Sequence, residues 1–83
     1  MLEDLKKASN RTVGMKQTLK AIERGIVERV FLARDVDNYV YQKMKEQCQS
    51  HDVVIIMVDS MNELGEACGI TVGAATAAIL KNA

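Results

Sequence analysis

The chain of 83 residues contains no proline and no tryptophan, and one Phe and two Tyr make up its 4% of aromatic residues. Those absences argue against a loop-rich scaffold or one anchored on a buried Trp. Cysteine is equally scarce. Cys48 and Cys68 are too few for the disulfide framework of a small secreted domain. Each lies at helical spacing from other apolar residues, so both read as small buried hydrophobes. The start, Met1 to Lys7, is charged and lacks the apolar h-region of a secretory signal. The most apolar stretch, Gly69 to Leu80, falls far short of the roughly 20 residues that a membrane span needs. These features predict a cytoplasmic protein with no membrane partner.

Histidine is nearly absent as well. His51 is the one His in the chain, so any Ser–His or Cys–His pair would depend on it alone. It sits in the polar stretch Gln49-Ser50-His51-Asp52, which reads as a helix end and a loop. The two Cys and the His lack the close pairing of a zinc site, and neither a dinucleotide fingerprint nor a phosphate-loop motif occurs. The expectation is a non-enzyme without metal or cofactor. Net charge is missing too: eleven basic residues balance eleven acidic ones, with a pI near 6.6. At first sight that opposes nucleic-acid binding, for which a pI above about 9 is the usual sign.

What the chain does have is a core. With 48% hydrophobic and 27% charged residues, it is composed as a folded chain, and its length predicts one domain over residues 1–83. Leu2, Leu5 and Ala8 form one stripe of a first helix ending near Ser9-Asn10. Gly14 opens a second helix through Arg24, with Met15, Leu19 and Ile22 as its core stripe, and Gly25 follows as a left-handed stop. Val30 to Ala33 reads as a buried strand, then Arg34 to Asn38 as a turn. Asp37 or Asn38 caps a third helix carrying Val40, Met44 and Cys48. Val53 to Val58 reads as a strand covered on both faces. Ser60 to Glu63 matches a reciprocal capping box that starts a fourth helix with Met61, Leu64 and Cys68, stopped by Gly69. Ile70 to Gly73 is a loop, and Ala74 to Leu80 a small-residue central strand. Strands alternating with helices predict an α/β fold with helices on both faces of the sheet.

The zero net charge is a cancellation. Residues 1–24 hold six basic and three acidic residues, a net of +3, and the remainder holds five basic and eight acidic, a net of −3. Lys16 and Lys20 lie at i, i+4 in the second helix, with Gln17 beside Lys16. They stand near a helix start, where free N–H groups and the macrodipole already attract anions. Lys and Gln can also meet base edges. A solvated basic helix face is the alternative reading. In the glycine-bounded loop, Ile70 and Val72 either tuck onto the core or form an apolar platform for an unstacked base. Gly65, Gly69 and Gly73 repeat at fourfold spacing, a pattern with little weight outside membranes.

Three stretches, Gly14-Met-Lys-Gln-Thr-Leu-Lys20-Ala-Ile-Glu-Arg-Gly25, Ala33-Arg-Asp-Val-Asp37 and Val58-Asp-Ser-Met-Asn-Glu-Leu-Gly-Glu-Ala-Cys-Gly-Ile70, occur together and in this order. The chain thereby resembles the kink-turn-binding ribosomal proteins, the L7Ae and L30e relatives, and above all their small, single-domain bacterial branch. The resemblance covers nearly the whole chain, and its most specific segment is L-G-x-A-x-G-I. It implies a three-layer α/β/α sandwich with a mixed sheet of about four strands. It also implies a monomer that binds structured RNA containing a kink-turn, where tandem sheared G·A pairs beside a short bulge bend a duplex sharply. The ribosome is one place such RNA occurs. By position, Gly14, Lys16, Gln17 and Lys20 match the helix start that enters the G·A region. Asp37 and Tyr41 match residues near the bulge. Met61 and Ile70, Thr71 and Val72 match the surface that packs on the extruded nucleotide. The family's helix usually begins Asn-Glu where this chain has Lys16-Gln17. A protein-interaction module of the same fold, without RNA binding, is the competing expectation.

Overall fold

Two strands with apolar residues on both faces form the middle of the structure, a computed structural model that describes residues 2–82. β2 (Val27–Ala33) and β4 (Thr76–Leu80) pair antiparallel, with Val30 opposite Ala78 and Phe31 opposite Ala77. Because side chains alternate along a strand, Val30 and Leu32 point into one layer while Phe31 and Ala33 point into the other. That two-sided burial explains the apolar runs Val30 to Ala33 and Ala77 to Leu80. The alanines of β4 are short enough to let both helix layers approach the sheet.

β3 (Ile55–Val58) joins β2 in parallel and β1 (Arg11–Val13) joins β4 antiparallel, giving the order β1-β4-β2-β3. One face is covered by α2 (Met15–Glu23) and α3 (Asn38–Ser50), which pack Ala21, Ile22, Met44 and Cys48 against Val30, Leu32 and Ala78. The other face is covered by α1 (Leu2–Lys7) and α4 (Met61–Ala67), which pack Leu5, Leu64 and Ala67 against Phe31, Val58 and Ala77. The architecture is the three-layer sandwich with a mixed four-stranded sheet. Among the described residues, no helix is long and apolar enough to cross a membrane.

Several details depart from the sequence reading. Arg11–Val13, left unassigned there, is an edge strand, too short to show a period and defined by pairing with the distant β4. β2 begins at Val27 rather than Val30, and the added residues carry an irregularity between Val27 and Arg29. In α2 the fully buried positions are Thr18, Ala21 and Ile22, with Met15 and Leu19 only half-buried. Thr18 is tolerated inside because its hydroxyl bonds to that of Thr12 at 2.8 Å, fastening α2 to β1. β3 starts at Ile55 and lies at the sheet edge, so only Val58 is fully buried and Val54 is 64% exposed. Half of the capping box forms: the Ser60 hydroxyl accepts from the Glu63 N–H at 3.1 Å. Cys48 and Cys68 are free and buried in opposite layers. Burial pushes the Cys48 thiol up to about 11 and raises that of Cys68, the latter opposed by the Arg11 charge. Both therefore stay protonated and unreactive near neutral pH.

Candidate nucleic-acid interface

One end of the sheet gathers the starts of three helices. Strand β1 runs out at Val13 beside the start of β4, and the Gly14 N–H donates to the Thr76 carbonyl at 2.8 Å. At the same end, the Ala33 N–H donates to Ala75 O at 3.0 Å and the Arg34 N–H to Val58 O at 2.8 Å. The Ala74 N–H donates to Met61 O at 3.0 Å, tying the segment before β4 to the first residue of α4. α2, α3 and α4 thus open side by side, with the 69–73 loop between α4 and β4.

These three starts differ in how their free N–H groups are used. In α3, Asp37 is the N-cap, and its Oδ1 accepts from the Val40 N–H at 2.9 Å. In α4, Ser60 caps Glu63, and Asp35 Oδ1 accepts from the Met61 N–H at 2.8 Å. α2 has neither device. Its N-cap is Gly14, at φ 94° and ψ 159°, a conformation essentially closed to other residues. No side chain caps it and no acidic residue occupies its first turn. Lys16 and Gln17 are exposed in that turn and Lys20 is exposed one turn further along, in the last turn of the helix. The first-turn N–H groups and the Lys16 ammonium therefore face the same solvent, with Lys20 following at i+4 from Lys16. That combination attracts an anion.

The 69–73 loop resolves the two readings of its apolar residues by dividing them. Ile70 is half-buried against the core, while Val72 is 68% exposed and Thr71 is exposed beside it. The loop lies hard against α4. A Cβ at Gly65 would collide with the Val72 carbonyl oxygen, and one at Gly73 would come within 3.1 Å of Met61 Cβ. The fourfold glycines, given little weight in sequence, are where helix and loop touch. Met61 is half-buried against the same core layer. Tyr41 is half-buried against the opposite layer with the Lys45 Nζ 5.4 Å from its ring centroid, and Tyr39 is the outward tyrosine, 69% exposed.

Nine of the ten residues singled out from sequence therefore fall at or near this end of the molecule, and Lys20 lies further along α2, in its last turn. Gly14, Asp37, Tyr41, Met61 and Ile70 are partly committed to backbone, caps or core, whereas Lys16, Gln17, Lys20, Thr71 and Val72 present side chains outward. Asp35 and Arg11 escaped the sequence reading as shaping residues because their partners Met61 and Cys68 lie far along the chain, and Gly65 because the loop that crowds it folds back over its own helix. His51 lies elsewhere, as the exposed C-cap of α3, with Nδ1 3.0 Å from the Gln47 carbonyl. Among the described residues, no group of three or more His, Cys, Asp or Glu is placed to hold a metal ion.

Comparison with known proteins places this arrangement. The chain is 50% identical to an RNA-binding protein of Caldanaerobacter subterraneus subsp. tengcongensis, over 82% of this chain and 83% of that one. It is 44% identical to an RNA-binding protein of Halalkalibacterium halodurans, over 95% and 96% of the two chains. Among solved structures, the 15.5kD RNA binding protein of Giardia lamblia superposes with a TM-score of 0.85 at 27% identity, covering 98% of this chain and 68% of that one. A family model matches residues 1–83 throughout, and the chain belongs to the Ribosomal protein L7Ae/L30e/S12e/Gadd45 family.

Proposed function

We propose that this protein binds structured RNA and stabilises a kink-turn, using the end of the sheet where α2, α3 and α4 begin. The observation that carries the reading is the contrast among those helix starts: α3 is capped by Asp37 and α4 by Ser60 and, from beyond the end of β2, by Asp35, while α2 is left open beside Lys16 and Gln17, with Lys20 one turn further along. Membership in a family whose bacterial relatives are named RNA-binding proteins supports the choice of RNA as the anion.

On this reading Lys16, Gln17 and Lys20 meet phosphates and base edges around the G·A pairs, where Gln17 both donates and accepts. Asp37, Tyr41 and Met61 border the bulge. Ile70, Thr71 and Val72 receive the extruded nucleotide, whose unstacking is part of the cost of the bend. The protein does no chemistry on the RNA. It shifts the RNA's own equilibrium between extended and kinked forms, and its leverage equals its differential affinity for the two.

Lys20→Ala tests the placement. The substitution is on an exposed position and removes one charge-assisted donor, so kink-turn affinity should fall by about 1–3 kcal/mol, measured by titration with the thermal midpoint unchanged. Undiminished affinity would put the RNA on another face. Absence of any RNA binding by the unaltered protein would favour the protein-interaction alternative.

A further inference from the structure

We propose that Arg11 is a positioning residue that locks the 69–73 loop to the strand leading into α2, so that both halves of the surface engage RNA as one unit. The inference rests on the kink-turn reading above. Arg11 is the first residue of β1, and its guanidinium bridges two helix ends. Nη1 donates to the Leu5 carbonyl at 2.9 Å and reaches that of Lys6 at 3.5 Å, while Nη2 donates to the Cys68 carbonyl at 2.8 Å across 57 residues of sequence. Carbonyls at helix C-termini lack intrahelical partners and sit at the negative end of the dipole, so a cation there is doubly favoured.

The position of the third carbonyl gives Arg11 its reach. Cys68 is the C-cap of α4, and the next residue, Gly69, turns to φ 75° and begins the loop. A Cβ at Gly69 would lie 3.9 Å from Arg11 Nη2. The point at which the chain leaves α4 is therefore bonded to β1, and three residues beyond Arg11 the same strand delivers Gly14 to the open start of α2. The far end of the loop is held by Ala74 on Met61. Only the tip, Thr71 and Val72, is free to meet a ligand. A planar fork spanning two elements suits this task better than the single ammonium of Lys.

A residue that merely staples α1 to α4 would, when removed, weaken all RNA binding alike. A positioning residue predicts a conditional loss, read with a kink-turn duplex and the same duplex made abasic at the extruded nucleotide. The wild type should lose roughly tenfold on removal of the base, as expected for one stacked base. Arg11→Ala should bind the intact duplex about tenfold more weakly and respond little to base removal, because the platform is no longer held where the base emerges. Arg11→Lys, which keeps the charge on a single donor nitrogen in place of the two-pronged fork, should fall between. Retention of the full base-dependent ratio by Arg11→Ala would overturn the proposal, as would equal weakening on both duplexes. Amide exchange of the free protein gives an independent reading. The Gly69, Ile70 and Ala74 amides should exchange faster in Arg11→Lys and Arg11→Ala, while those of β2 and β4 stay protected. Unchanged exchange from 69 to 74 also overturns it, even should the wild type fail to distinguish a kink-turn from a duplex without G·A pairs, which would refute the kink-turn reading separately.

Discussion

At Gly65, where α4 passes under the 69–73 loop, the space above the Cα is taken by backbone. An added methyl would collide with the Val72 carbonyl oxygen and stand 3.1 Å from its carbon and 3.2 Å from Gly73 Cα. Unlike a flexible side chain, a peptide group cannot swing aside, so the loop itself must move. Gly65→Ala should cost about 1–3 kcal/mol, seen as a lower thermal unfolding midpoint, and should weaken RNA binding in parallel by displacing Val72. An unaltered midpoint would show that the loop is not held against α4. Gly14 is demanding for a different reason: space above it is open, but φ 94° excludes a side chain on conformational grounds. The glycine spacing was visible in the sequence. Its meaning was not, because the atoms that crowd Gly65 belong to a loop that folds back over the helix. Thr18 escaped notice similarly, since its burial depends on a hydroxyl partner across the turn, Thr12.

Elements were legible to the extent that their own residues determine them. The caps of α3 and α4 could be read from Asp37 and Ser60, the buried part of β2 from the apolar run Val30 to Ala33, and the central place of β4 from its small residues. β1 could not, as three residues, Arg11 to Val13, become a strand only by pairing with the distant β4. β3 misled in the other direction: its composition matches a central strand, yet it lies at the edge, since among the described residues no strand pairs beyond it. Asp35 likewise works through tertiary structure. It leaves the end of β2 to cap the first N–H of α4, a helix of seven residues that is too short to hold itself together. Asp35→Ala should destabilise the protein by about 1 kcal/mol, as for loss of an N-cap, with a fall in the melting midpoint of about 4–8 °C for a chain of this size. Asp35→Asn, which keeps the acceptor, should recover most of it. Equal midpoints for all three proteins would mean that Ser60 alone suffices to start α4.

For the molecule as a whole, the balanced charge has a spatial meaning. The net of +3 in residues 1–24 and −3 in the rest places the exposed lysines of α2 in the basic part of a chain that is neutral overall. Few phosphate contacts imply a shallow dependence of affinity on salt, so shape, rather than charge density, has to select the RNA. The measurement that tests this most directly is a titration at physiological salt of a kink-turn duplex and of a duplex of equal length whose G·A pairs are replaced by Watson–Crick pairs. The account predicts binding to the kink-turn at least about tenfold tighter, the factor given by one specific contact of about 1.4 kcal/mol. Equal affinity for the two duplexes would contradict it.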